Sequence, residues 1–556
     1  MSKWIELKSQ NCTDCYKCIR HCRVKAIRFS GNLAYNVENL CVLCGHCYIS
    51  CPQNAKVITS EVEKVKLLLQ TEKVIALISP TYLAYFNTTY KAFKEACLKL
   101  GFTSIEEETL GYELVINEYE KILKKGEKKF YISSICHSVN LMIQKYHKKL
   151  LPNLMEVVSP MVATAIDLKK RYPDHKIVYI GPCLAKKDEV DKCTTLIDGV
   201  LMFDEIQKMF AKEKIELNNK LKDEKCFKAR EAVSFKGLQN IMKKGSKYEF
   251  VSVSGVDSCI NTMNELEKGK IENAFIIMDM CYNSCLYGPT FVKLNYGNEI
   301  QQKITMQTHY GNDVYTNAKY SHDDLIKYFD EIKLNIKKPN KEELQEILLS
   351  MGKDSPEKIL NCGVCGYSTC INKATAIFNG MAEPSMCLSY MSERAESFTD
   401  NVLKNSPFAV IAVNEKMEVQ IFNNGAKKLF NMYKEENIKG HPLAEILDTK
   451  DIKECYTSDK NQFVKEMYLS QYDKYVEEII VPDKNHHNTI IILRDLSDVV
   501  NYKKRMELID KNAIEIADNV IEKQMKIVQE IASLLGETTA ETKVALTKLK
   551  ESLKNE

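Results

Sequence analysis

Between about residues 65 and 335 the chain alternates short apolar runs with amphipathic stretches. Segments 74–79, 130–133, 176–180, 250–253 and 274–278 are brief and rich in β-branched residues, so they read as buried strands. Segments 89–100 and 163–171 carry apolar residues at helical spacing and read as helices between them. The alternation predicts an α/β region with mostly parallel sheets. Three of the strands lead into cysteines: 130–133 into Cys136, 176–180 into Cys183, and 274–278 into Cys281 and Cys285. Side chains just beyond the carboxyl ends of parallel strands sit where a crevice site forms. From spacing alone, the four thiols fit either a metal cluster or ordinary core cysteines.

Past residue 392 the pattern changes. Segments 409–413 and 419–422 read as strands around a polar turn at 414–416, and 424–430 reads as a helix. Strands at 475–481 and 489–494 are joined by a turn at 482–487. From Asp498 to Leu553 the sequence reads as helical, with Met506, Ile509, Ile516, Val520, Met525, Ile527 and Ile531 at spacings that suit a helix pairing with a partner, or one packed on its own domain. Gly536 interrupts it, and Thr538 or Thr539 can cap a last helix with Glu541 near its first turn.

Composition narrows the class. At 556 residues the chain has room for three to five domains. A net charge of +3 gives no global pull toward nucleic acid or membrane. The basic cluster Lys17, Arg20, Arg23, Lys25 and Arg28 reads as a solvated face, or as one that meets an acidic electron donor. No leader and no apolar run near eighteen residues is legible, since 74–86 is broken by Ser79 and Pro80. With 21 cysteines and no sign of secretion, a reducing cytoplasm, in an anaerobic host, is expected.

Sixteen of those cysteines fall into four sets. Cys12, Cys15, Cys18 and Cys22 read C-x2-C-x2-C-x3-C, and Cys41, Cys44, Cys47 and Cys51 repeat the motif 29 residues later. In such a repeat three close thiolates hold one cubane and the fourth crosses to the other. Cys12, Cys15, Cys18 and Cys51 should therefore hold one [4Fe–4S] centre, and Cys41, Cys44, Cys47 and Cys22 a second. Zinc, the rival, usually takes two thiolates and two more distant ligands. Residues 1–62 resemble the bacterial two-cluster ferredoxins, with Arg23 where the second copy has Pro52.

In the middle region, Ser133-Ser134-Ile135-Cys136, then Pro182-Cys183-Leu184-Ala185-Lys186-Lys187-Asp188-Glu189, then Cys281-Tyr282-Asn283-Ser284-Cys285 occur in order. They resemble the three signature segments of the iron-only ([FeFe]) hydrogenases, over residues 65–335. The resemblance implies that Cys136, Cys183, Cys281 and Cys285 bind a cubane, with Cys285 bridging to a two-iron subsite carrying CO and CN ligands. It implies that Lys186 donates a hydrogen bond to a cyanide of that subsite; a solvated lysine is the bland alternative. Glu189 reads as an ion-pair or a site residue. The departures are specific. The family's proton-relay cysteine is Ile135 here, the next proline is His137, and Gly181, Ile277 and Asp279 replace a Met, a Glu and a Met. Isoleucine cannot pass a proton, so slow turnover is expected; His137 is the alternative relay or ligand.

Residues 341–392 carry Cys362, Cys365 and Cys370 in C-x2-C-G-x3-C spacing, then Cys387, with Gly363 and Gly366 freeing the backbone and a helix at 373–378. This resembles the small [4Fe–4S] domain of electron-transfer subunits, with zinc as the rival. Residues 397–498, with Ser406-Pro407-Phe408-Ala409-Val410-Ile411 and Leu493-Arg494-Asp495-Leu496, resemble a PAS sensor domain. His441 and Cys455 match no haem or flavin pattern, and His486 and His487 sit in a turn and read as solvent-facing. Cys97, Cys193, Cys226, Cys259 and Cys455 read as core or incidental thiols. The fold class expected is multidomain α/β: ferredoxin domain 1–62, hydrogenase-like 65–335, small cluster domain 341–392, PAS α+β domain 397–498 and helical transmitter 499–556. Two functions compete, beside a plain electron-transfer protein lacking the two-iron subsite. One is a regulatory protein sensing dihydrogen or redox state and signalling through the helix to a partner or a second copy. The other is a hydrogenase exchanging electrons with ferredoxin or another donor. The PAS-like region and helix favour the first, because bulk turnover needs neither.

Overall fold

All five apolar runs of the middle region form strands, and they pair only in parallel; Glu249–Ser254, expected to be buried, is instead an edge strand with no buried residue. The computed structural model describes residues 2–218, 221, 223, 226–243, 245–294, 299–315, 320–432, 438–457, 462–483, 487–535 and 539–552. One sheet has the order Ser104–Glu107, Val74–Ile78, Lys176–Gly181, Gly199–Met202; the other has Glu249–Ser254, Ala274–Asp279, Phe130–Ile132. Every residue of Val74–Ile78 is buried, as a parallel strand covered on both faces requires. Ser104–Glu107 and Gly199–Met202 lie at the two edges of the first sheet and extend it beyond the sequence reading. The edge strand ends in a buried Glu107, whose carboxylate accepts from Arg230 Nε at 3.0 Å and Nη2 at 2.9 Å and from the Tyr82 hydroxyl at 2.8 Å. A charge so placed is tolerable because it is paired in fork geometry.

The helices begin where their caps dictate. Tyr90–Leu100 starts after Thr89, whose hydroxyl accepts from the Ala92 N–H, and stops at Gly101 with φ +110°. Pro160–Arg171 starts three residues before the expected position because Pro160 occupies the first helical position.

In the N-terminal region the repeat seen in sequence is a repeat in shape. Lys17–His21 and His46–Ser50 are matching short helices, entered through Tyr16 at φ +55° and Gly45 at φ +76°. Ile5–Leu7 pairs antiparallel with Lys56–Ile58 and ties the two ends together. This region is clamped to the α/β region by Lys145 Nζ on the Cys41 carbonyl (2.7 Å), the Tyr146 hydroxyl on the Leu40 carbonyl (2.6 Å) and Lys293 Nζ on the Cys51 carbonyl (2.9 Å). At the contact, a Cβ on Gly45 would stand 2.4 Å from Pro289 Cγ.

Residues Met1–Tyr390 form one compact unit and Met391–Glu556 another. In the first, Cys370–Phe378 is helical, starting earlier than expected because Thr369 caps it. In the second, a five-stranded antiparallel sheet has the order Val419–Phe422, Ala409–Asn414, Asn488–Asp495, Lys474–Asp483, Phe463–Leu469. The buried Asn423 amide holds its first hairpin, accepting from the Val410 and Ala426 N–H groups and donating to the Leu403 and Phe408 carbonyls. The helix Ser497–Leu535 runs 39 residues, about 58 Å at the usual rise. A further helix spans Thr539–Ser552. His486, Gly536, Thr538 and Leu553 lie outside the described residues. Among the described residues no helix is long and apolar enough to cross a membrane.

Gly45 tests the docking of the two regions. Gly45→Ala meets both a left-handed backbone and Pro289, so it should destabilise the unit by about 2 kcal/mol or more. Gly31→Ala, at φ +58° with nothing within 4 Å, should cost only the backbone part, about 1 kcal/mol. Equal losses in denaturant unfolding would show that the Pro289 contact carries nothing.

Candidate metal centres

Cys12, Cys15, Cys18 and Cys51 line one cavity: three thiols of the first motif with the last of the second. The complementary set also gathers, since Cys22 is an electrostatic neighbour of Cys41, Cys44 and Cys47. Main-chain donors point at the sulfurs. Ala26 N–H meets Cys22 Sγ at 3.2 Å, and Ala55 N–H, one repeat later, meets Cys51 Sγ at 3.3 Å. Asn36 Nδ2 donates to Cys47 Sγ at 3.3 Å. Burial pushes Cys18 and Cys41 up to about 12 and Cys22 to about 11. Thiols so buried stay neutral unless a metal takes them as thiolates, and N–H donors then stabilise the charge. Among the described residues no three His, Cys, Asp or Glu side chains close on a point as around a single ion. A zinc ion would need sulfurs about 2.3 Å from one centre, whereas the corners of a cubane stand wider. The residues fit iron–sulfur clusters.

Cys136, Cys183, Cys281 and Cys285 line a second cavity, of about 40 Å³, at the carboxyl ends of strands from both sheets. Ser79 follows Val74–Ile78 there, and Glu108 follows Ser104–Glu107. Burial pushes Cys136 up to about 12 and Cys281 and Cys285 well above the ordinary thiol value. Leu43 and Cys44 line the same cavity, so the second ferredoxin set abuts it. Nothing in the sequence announces that neighbour, nor Glu108, Tyr112 and Tyr179, which complete the wall.

The residues that depart from the family motifs are placed as follows. Ile135, His137 and Asp279 line the cavity; Gly181 and Ile277 are not among its lining residues. A Cβ on Gly181 would stand 2.7 Å from Tyr179 Cε1, so the Tyr179 phenol occupies that space, and its hydroxyl donates to Glu108 Oε2 at 3.0 Å. Burial lifts Asp279 to about 6 against a hydrogen bond from Ser284. His137 is buried with Nε2 3.0 Å from Asp188 Oδ2, and its Nδ1 has no protein partner. Lys186 is not a solvated lysine: it is buried, and its Nζ donates to Glu189 Oε2 at 2.8 Å. Burial pushes Glu189 up, but Lys186, with His137 and Lys327 beyond it, holds the carboxyl down to about 2.

Cys362, Cys365, Cys370 and Cys387 line a third cavity, together with Tyr367 and Lys373. Gly363 and Gly366 both have positive φ, as the expected wrap requires. Burial works against the Cys387 thiolate, yet hydrogen bonds from Ser389 and the Tyr390 N–H, with Lys373 and Lys353 nearby, hold its pKa below the ordinary value. The basic cluster near the ferredoxin sets is less free than its composition suggests. Arg20 donates to the Val364 carbonyl, Lys25 to the Ile19 carbonyl, and Arg23 pairs with Asp257. Of the cysteines outside the sets, Cys97, Cys259 and Cys455 are buried, Cys226 is half-buried and Cys193 is exposed. His441 is exposed and lies 3.6 Å from Glu445, and His487 lies 2.6 Å from Glu415.

Residues 72–243 match the family model of the iron only hydrogenase large subunit, C-terminal domain. That segment holds Cys136 and Cys183 and stops before Cys281 and Cys285, which the fold brings to the same cavity. Residues 360–389 match a family model for an Fe-S cluster. Among solved structures, an [FeFe]-hydrogenase from Chlamydomonas reinhardtii is 14% identical with a TM-score of 0.40, over 50% of this chain and 100% of that one. A PAS domain of an HTR-like protein from Haloarcula marismortui is 15% identical with a TM-score of 0.17, over 19% of this chain and 96% of that one. Residues 72–243 are thus similar to the iron only hydrogenase large subunit, and residues 360–389 to an Fe-S cluster segment.

The Lys186–Glu189 pair carries a sign that can be measured. Glu189 is held below its unfolded value, so its contribution is full above about pH 4.5 and is lost as pH falls toward 2. Glu189→Gln should strand a buried ammonium and cost about 3–5 kcal/mol at neutral pH. Lys186→Met with Glu189→Leu should recover most of that loss. If thermal unfolding of Glu189→Gln matches the parent, the pair is not the structural tie described.

Proposed function

We propose that the chain is a regulatory redox protein. The two ferredoxin sets admit electrons, the strand-end cavity reports dihydrogen or redox state, and the PAS-like region with the long helix passes that state to another protein. The observation that carries this reading is Ile135, which lines the cavity beside Cys136 where the family resemblance calls for a proton-carrying thiol. Removing a general acid–base group typically costs about 10²–10⁴-fold in rate, so binding is kept and turnover is given up.

Each of the four cysteine sets would hold a [4Fe–4S] cubane. Cys285 would also bridge to a two-iron subsite with CO and CN ligands. When bound, these groups supply one-electron chemistry and a place for dihydrogen. The chain's own part is positional. Glu189 keeps Lys186 charged with two ammonium donors still to give, which suits an anionic ligand. Ile135 and the Tyr179 ring keep that wall of the cavity dry. His137, whose Nδ1 has no protein partner beside Cys136, supports the second reading, a ferredoxin-linked hydrogenase with histidine as relay.

On the output side, Val499, Met506, Ala513, Val520 and Ile527 recur every seven residues along Ser497–Leu535, with Tyr502, Ile509 and Ile516 between them, all exposed. That is the seam of a two-stranded coiled coil, and a second copy of the same helix fits it.

Infrared spectra of anaerobically matured protein should show CO and CN bands, and proton–dihydrogen exchange should be slow. Ile135→Cys should raise exchange at least about tenfold, short of the full acid–base range because Gly181 and Asp279 remain. Native rates matching a fast hydrogenase would overturn the regulatory reading and point to His137. Deleting residues 501–556 should abolish self-association in sedimentation while leaving every cluster spectrum unchanged. If the truncated chain loses clusters, the helix is structural.

A further inference from the structure

The fourth cysteine set does not stand apart from the ferredoxin repeat. Gly366, at φ +92°, lies so close to it that a Cβ would stand 3.0 Å from Ile19 Cγ2 and 3.2 Å from the Arg20 backbone nitrogen. The Arg20 guanidinium forks across the joint, donating to the Val364 carbonyl at 3.3 Å and to the Cys15 carbonyl at 3.0 Å. On the other side Phe29 N–H donates to the Met381 carbonyl at 2.9 Å, and Gly31 N–H to Glu383 Oε1 at 3.0 Å.

Tyr367 sits at the centre of this joint. Its side chain is buried, 3% exposed, and lines the cavity of the fourth set. Lys25 Nζ stands 5.9 Å from its ring centroid while donating to the Ile19 carbonyl at 3.0 Å. The Tyr367 hydroxyl has no protein partner. Its electrostatic neighbours are Cys365 of the fourth set and Cys22, the ferredoxin cysteine that crosses between repeats. The Lys25 ammonium lies in the field of the same two thiols. A buried hydroxyl left unbonded is unfavourable, and cluster sulfur is an acceptor for it.

We infer that Tyr367, steadied by Lys25, is the hydrogen-bonding bridge between the Cys22 set and the Cys365 set, and that residues 341–390 take their electron from the ferredoxin repeat at this joint. The inference rests on the proposal that both sets hold cubanes. One electron, first supplied by a low-potential external donor, leaves the reduced centre of the Cys22 set, which is oxidised, and reduces the centre of the Cys365 set. No bond or proton changes. The Cys22 set then has three neighbours: the first ferredoxin set through Cys18 and Cys47, the strand-end cavity through Cys44, and the fourth set through Tyr367. It is a branch point rather than a link in a single file.

The test uses the full chain, reconstituted anaerobically, with iron analysis, redox-poised electron paramagnetic resonance and pulsed distance measurements. The native protein should hold about sixteen irons and show mutual broadening between the Cys22-set and fourth-set signals. Tyr367→Phe should keep the irons and the broadening but lower the midpoint of one of the two centres. A tenfold fall in its reduced-to-oxidised ratio at fixed potential is expected, about 59 mV for one electron. Lys25→Met, on the other side of the joint, should lower the midpoint in the same direction by removing a cation, and it decides the matter if Tyr367→Phe sheds a cluster. Sixteen irons without broadening, or midpoints unmoved in both variants, would overturn the inference while leaving the cluster reading intact. Near eight irons in the native chain would overturn both.

Discussion

A thiolate held away from water needs a cation to meet it, and this chain gathers its cysteines, mostly half-buried, in sets of four. The architecture around them answers that one constraint. Parallel strands deliver Cys136, Cys183 and Cys281 from their carboxyl ends. Backbone amides turn toward sulfur at Ala26 and Ala55. Left-handed residues let the short helices of the repeat begin immediately beside their ligands. Where no sulfur is involved, buried charge is met by its opposite, as in Arg230 with Glu107 and Lys186 with Glu189.

Much of this was legible in the sequence. The 29-residue repeat predicts a crossed pairing, and the fold does gather Cys51 with Cys12, Cys15 and Cys18 in one cavity. The strands that cross the middle of the core were legible because burial on both faces demands unbroken apolar runs. Edge strands are exempt from that demand. Ser104–Glu107 carries three polar residues, and Gly199–Met202 is only four residues long, so neither announced itself. Phe463–Leu469 interleaves Lys and Glu with its apolar positions because half of it faces outward.

The less legible part was what stands next to what. Spacing finds a ligand set but not its neighbours, so Cys44 at the strand-end cavity and Lys25 over the Tyr367 ring emerge only in three dimensions. The basic cluster is largely exposed, as a solvated face should be, with Lys17, Arg20, Arg23 and Arg28 at the surface. What composition could not give is that Arg20 and Lys25 also donate to main-chain carbonyls, of Val364 and Ile19. Gly181 was read as a lost methionine, and the neighbouring Tyr179 fills the space from two residues away on the same strand.

The crossing of Cys22 and Cys51 between the two halves of the repeat has a consequence for biosynthesis. Both ferredoxin sets are complete once the first sixty or so residues have left the ribosome, so that module can be loaded while translation continues. The strand-end set is incomplete until Cys285 emerges, and the three-stranded sheet closes only when Ala274–Asp279 takes its place between Glu249–Ser254 and Phe130–Ile132. For the interval in between, the nascent chain displays half a metal site beside a finished one. Were clusters loaded in the order the sets complete, the N-terminal repeat would be filled before the strand-end set.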